Sequence, residues 1–133
     1  AGLLGTKSWQ QSWSGWMLVS KLRGFRRRYA VTGSLAAARR APFAAARAAA
    51  VYVDDPSAVA HSLDLRPAEA GANVTLVRPI DAVVFERTWA EDGLNFAALP
   101  QVAADLMTSA GRAPSEGEEL VAWMRKNENA WRA

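Results

Sequence analysis

The chain has 133 residues, 50% of them apolar and 22% charged, enough to build one packed domain and too apolar for disorder throughout. It has no cysteine and a single histidine, His61, which excludes disulfides, thiolate metal centres and histidine-rich metal sites and suits a reducing cytoplasm. The formal charge of +3 hides an asymmetry: residues 1–50 carry nine basic and no acidic side chains, residues 51–133 seven basic and thirteen acidic.

The first part is therefore expected to face a polyanion or to dock on the second. No apolar run approaches the roughly 18 residues of a membrane span, so no membrane association is expected. An acid-free N-terminus rich in Arg, Ala and Ser also has the composition of a transit peptide. The strand and turn that follow from Tyr29 are structure such a peptide does not need.

In chain order, KSWQQSWSGWMLVSKLRGFRRR (7–28) places Trp9, Trp13 and Trp16 at i, i+4 and i+7, and Leu18, Leu22 and Phe25 repeat that spacing. The period predicts a basic, Trp-rich helical segment over residues 1–28. Tyr29–Thr32 reads as a short strand, with Ser34 opening a helix to about Arg40 and Pro42 stopping it. Ala48–Val53 is a second strand, closed by Asp54-Asp55-Pro56, and Pro56 suits the first turn of a helix through Val59 and Leu63.

Asn73–Arg78 is a third strand, and Ala82–Glu86 a fourth strand or a helix start. Glu91-Asp92-Gly93 is a turn into a strand over Leu94–Ala97. Pro100 opens a helix ended by Gly111. Ser115 and Glu118 have capping-box spacing before a last helix, whose Leu120, Trp123, Met124, Asn127 and Trp131 share one face. Its charges, Glu116, Glu118 and Glu119 early and Arg125, Lys126 and Arg132 late, complement the macrodipole. The pattern is that of a small α/β or α+β domain over residues 29–133, a mixed sheet with packed helices and a helical C-terminus.

Chemistry is sparse. Gly33-Ser34 between a strand and a helix has the form of a phosphate cradle, and Asp54-Asp55 end the next strand, as in a nucleotidyltransferase site. Two-metal chemistry asks for Asp-x-Asp, so that both carboxylates share a face of the strand. Tyr52 and Pro56 flank Asp54 at that distance, so Gly33, Ser34, Asp54 and Asp55 form at most a degenerate nucleotide site. No catalytic residue, metal or cofactor is assigned. Asp105 and Glu116 read as helix residues rather than as an acid pair. The basic cluster Lys21, Arg23, Arg26, Arg27 and Arg28, with Arg39 and Arg40 beyond the Gly-Ser turn, is the candidate surface for nucleic acid or an acidic partner.

Taken in order, YAVTGSLAA, VYVDDP, LRPAEAGANVTLVRP, VVFERTW and QVAADLMTSAGRAPSEGEELVAWM resemble the C-terminal domain of AbiEi-like antitoxins and transcriptional regulators of actinobacterial type, over about residues 29–132. The resemblance implies a non-enzymatic, cytoplasmic regulator from a type IV toxin–antitoxin pair. In that family a winged helix binds the operon's promoter DNA, and the C-terminal domain counters a nucleotidyltransferase-like toxin; the resemblance implies that residues 1–28 are a remnant or linker of that N-terminal DNA-binding region. The alternatives are a metal-dependent nucleotidyltransferase and an assembly module that uses the N-terminal tryptophans.

Overall fold

Seven strands form one mixed sheet in the computed structural model, which describes residues 7–10, 21–41, 49–63, 66–67, 74–108 and 113–132. They are β1 (Lys7–Gln10), β2 (Tyr29–Thr32), β3 (Ala49–Val53), β4 (Arg66–Pro67), β5 (Val74–Val77), β6 (Trp89–Glu91) and β7 (Leu94–Phe96). Across the sheet the order is β4-β1-β5-β3-β2-β7-β6. The helices are α1 (Gly33–Ala37), α2 (Pro56–Ser62), α3 (Leu99–Met107), α4 (Ala113–Lys126) and α5 (Glu128–Trp131), with a 3₁₀ turn over Ala82–Phe85. The protein is thus an α/β fold with a mixed sheet, packed helices and a helical C-terminus.

Strands β2 and β3 show why the centre holds. All four residues of β2 are buried, as are Val51, Tyr52 and Val53 of β3. An apolar run without alternation belongs to a strand covered on both faces. β2 pairs antiparallel with β3 and parallel with β7, and β3 pairs parallel with β5. Helices α1, α3 and α4 pack on one another and α1 and α3 on β2, contributing Ala36, Ala37, Leu99, Val102, Leu106, Leu120 and Met124 to the core. Burying a Leu or Val side chain is worth about 1.5–3 kcal/mol, so this shared interior is the main source of stability.

Three sequence expectations change, and the open choice at Ala82–Phe85 between strand and helix start falls on the helical side. The helix predicted across 7–28 does not include Lys7–Gln10, which is strand β1 between β4 and β5. Ladder bonds on both sides outweigh a helical period interrupted by glycine. Trp13, Trp16 and Leu18 lie outside the described residues. Ala82–Phe85 is a 3₁₀ turn, capped by Asp81, whose carboxylate accepts from the Val83 N–H at 3.0 Å. The last helix starts at Ala113, so Ser115 and Glu118 lie inside it rather than forming a capping box. It also breaks at Asn127, whose side-chain amide donates to the Trp123 carbonyl at 2.8 Å. Local side-chain bonds of this kind compete with the helical ladder. Trp131 on α5 then folds back, its indole N–H donating to Met124 O at 2.8 Å.

Candidate functional site

The Gly-Ser turn and the Asp-Asp turn do not come together. In the antiparallel β2–β3 pair, Thr32 faces Ala50 and Tyr29 faces Val53. Gly33-Ser34 therefore leave the sheet at one end of the pair, and Asp54-Asp55 leave it at the other. Each has its own local use. Asp55 caps α2, accepting from the Ala58 N–H at 3.2 Å. Asp54 takes two hydrogen bonds from the Arg28 guanidinium, at 2.8 and 3.2 Å. Those bonds, opposed by burial and helped by the opposite charge, hold the Asp54 carboxyl below its ordinary range.

The Gly-Ser turn is clamped by carboxylates. Ser34 Oγ donates to Glu116 Oε2 at 2.5 Å, and Thr32 Oγ1 donates to Asp105 Oδ2 at 2.7 Å. With its hydroxyl committed and an acid on each side, this turn repels a phosphate rather than cradling it. Helix α1 is also only five residues long, too short for much of a dipole. In the sequence Asp105 and Glu116 read as helix residues rather than as an acid pair; their contacts to Thr32 and Ser34 become visible only when α3 and α4 pack on α1. Among the described residues, no three His, Cys, Asp or Glu side chains gather as metal ligands would.

The candidate basic residues divide into two sets. Arg28 pairs with Asp54 and stacks over Phe85, 4.2 Å from the ring centroid. Arg39 meets Asp92 at 2.5 Å and Arg40 meets Glu91 at 2.6 Å, with Arg40 also 4.2 Å from the Trp89 ring centroid. These three are docked on the acidic second part of the chain.

Lys21, Arg23, Arg26 and Arg27 belong together. They line a depression of about 450 Å³, largely open to solvent, with Phe25, Ser62 and Leu63 among its other walls. The local sequence explains the arrangement. In KLRGFRRRY, Leu22 and Tyr29 are buried, and Phe25 packs partly against them, its ring edge-on to Tyr29 at 6.0 Å. The arginines between these anchors are exposed. Phe25 N–H donates to Leu22 O at 3.0 Å, closing a turn whose Gly24 has φ +76°, a conformation most side chains resist.

Two members are tethered. Lys21 Nζ donates to Leu63 O at 2.7 Å, and Arg23 Nε donates to Asp92 O at 2.9 Å, a carbonyl bond that fixes the guanidinium without neutralising it. Neither Arg26 nor Arg27 meets a carboxylate among the described residues. What this surface can do chemically is bind anions.

No protein-family model matches the chain, and no curated protein matches it. Among the described residues, no helix is long and apolar enough to cross a membrane.

Proposed function

We propose that the chain is a non-enzymatic regulatory or interaction domain of the AbiEi-like antitoxin kind, acting in the cytoplasm, and that the depression at Lys21, Arg23, Arg26 and Arg27 engages the phosphate backbone of DNA. One observation carries the reading: Arg26 and Arg27 are exposed on an open basic surface with no carboxylate partner among the described residues, whereas Arg28, Arg39 and Arg40 are neutralised internally. Contacts of this sort position a protein on a polyanion and read little sequence. A nucleotidyltransferase-like toxin is the protein partner the family resemblance proposes.

The test is binding to a duplex DNA probe across a salt series. Two to four phosphate contacts predict log K falling against log salt with a slope of roughly −2 to −4. Arg26→Gln and Arg27→Gln should each reduce that slope by about 1. Affinity that ignores salt, or a double variant that binds as tightly as the native chain, would sink the DNA reading. No binding even at low salt would turn attention to an acidic protein partner.

A further inference from the structure

A second cavity, of about 300 Å³ and more enclosed than the basic depression, lies where the start of β6, the start of α3 and α5 meet. Arg40, Arg87, Trp89, Leu99, Pro100 and Trp131 form most of its wall. Both indole N–H groups are already committed, Trp89 to Ala97 O and Trp131 to Met124 O, each at 2.8 Å. The tryptophans therefore offer the cavity fixed apolar ring surface and no free donor. Trp89 is further held by stacking on Phe96, with ring centroids 4.6 Å apart, and by Arg40 over its ring.

The two arginines are not equivalent. Arg40 is neutralised by Glu91 at 2.6 Å. Arg87 is exposed and meets no carboxylate among the described residues. Its backbone has φ +54°, a left-handed conformation that costs a non-glycine residue free energy and that clusters at ligand sites. A glycine at this place would relieve the strain and lose the guanidinium.

We infer that this cavity is a binding site for a small aromatic carboxylate, its ring between the indoles and the Leu99–Pro100 wall and its carboxylate on Arg87. The volume is at the low end for small-molecule sites, enough for one ring system with an acid group. A planar guanidinium matches a carboxylate with two parallel hydrogen bonds. This site is independent of the DNA reading.

The experiment titrates the full chain with benzoate and indole-3-acetate, following the indole N–H resonances of Trp89 and Trp131 by NMR. Saturable shifts of both signals are expected, with the neutral benzamide and indole-3-acetamide at least about tenfold weaker. Arg87→Gly should lose about tenfold in affinity for the acids while melting no lower than the native chain, because it removes the left-handed arginine. Retained melting separates lost binding from lost folding, and Arg87→Lys, which keeps the charge, should lose less. Equal binding of acid and amide, unchanged affinity in Arg87→Gly, or no saturation by about 10 mM ligand, a range that would already include millimolar affinities, overturns the assignment.

Discussion

Asp105 accepts hydrogen bonds from Thr32, Tyr52 and the Gln101 side chain, at 2.7, 2.8 and 2.9 Å. Thr32 and Tyr52 are 2% and 1% exposed, so their hydroxyls have no water to fall back on, and this single carboxylate ties β2, β3 and α3 together. Burial first, then the charge and hydrogen bond of Asp105, push the Tyr52 phenol well above its ordinary value, with the Gln101 contact opposing. A group whose pKa is raised on folding gives stability that is whole below the unfolded value and lost as pH rises beyond it. For a tyrosine that loss begins near pH ~10. Tyr52→Phe should therefore cost about 1.5–3 kcal/mol at neutral pH, the net worth of a hydrogen bond to a charged group, and the deficit should shrink above pH ~10. Urea denaturation of both proteins at the two pH values checks this, and a deficit that does not change with pH would place the raised affinity for the proton elsewhere. By contrast, the Arg28–Asp54 pair has side chains 52% and 58% exposed, where solvent screens most of the attraction.

At the scale of elements, the β6–β7 hairpin is the piece that joins the two sets of arginines. Its two-residue turn, Asp92-Gly93, has φ +54° and +77° and is closed by Glu91 opposite Leu94. Both values are positive, as a type I′ turn requires, and Asp-Gly is among its favoured sequences. The turn receives Arg23 on the Asp92 carbonyl and Arg39 on the Asp92 carboxylate, while Arg40 reaches Glu91. Half of this element is legible in the sequence: Glu91-Asp92-Gly93 reads as a turn into a strand at Leu94. The other half, Trp89–Glu91, is not among the predicted strands, although Asp-Gly between Trp89-x-Glu91 and Leu94-x-Phe96 is a hairpin signature. Gly93→Ala forces an alanine into the left-handed region and is expected to cost about 1–2 kcal/mol. The space itself is open enough, since the nearest atom to an added Cβ is Arg23 Cγ at 3.4 Å. Asp92→Asn, which suits the same turn, should cost less than half as much in thermal or urea denaturation. Equal losses from the two variants would mean that the Arg39–Asp92 pair, rather than turn geometry, sets the stability of the hairpin.

For the whole molecule, the charge asymmetry of the sequence resolves into two groups of cations, one paired inside the fold and one on an open surface. The first fifty residues can be seen to seek negative charge from composition alone. Which arginine finds it inside the fold depends on long-range geometry. Antiparallel β2–β3 pairing brings Arg28 to Asp54, and packing at the end of α1 brings Arg39 and Arg40 to the β6–β7 turn, over separations of 26 and about 50 residues. The same geometry separates Gly33-Ser34 from Asp54-Asp55, because strand direction is not written in the local sequence. Under the proposed DNA reading, the division predicts a double dissociation. Arg39→Gln with Arg40→Gln removes three ion pairs, Arg39 with Asp92 and Glu91 and Arg40 with Glu91, whose arginines are 24% and 30% exposed, together with the Arg40 contact over Trp89. That variant should lose about 1–2 kcal/mol of stability and leave the salt slope of DNA binding within about 0.5 of native, since those charges are already neutralised. Arg26→Gln with Arg27→Gln should do the reverse: a slope shallower by about 2 and stability within about 0.5 kcal/mol of native, as for surface changes that break no pair. Measuring both quantities on both variants decides it, because a general loss of fold or a general loss of positive charge would move the two proteins together.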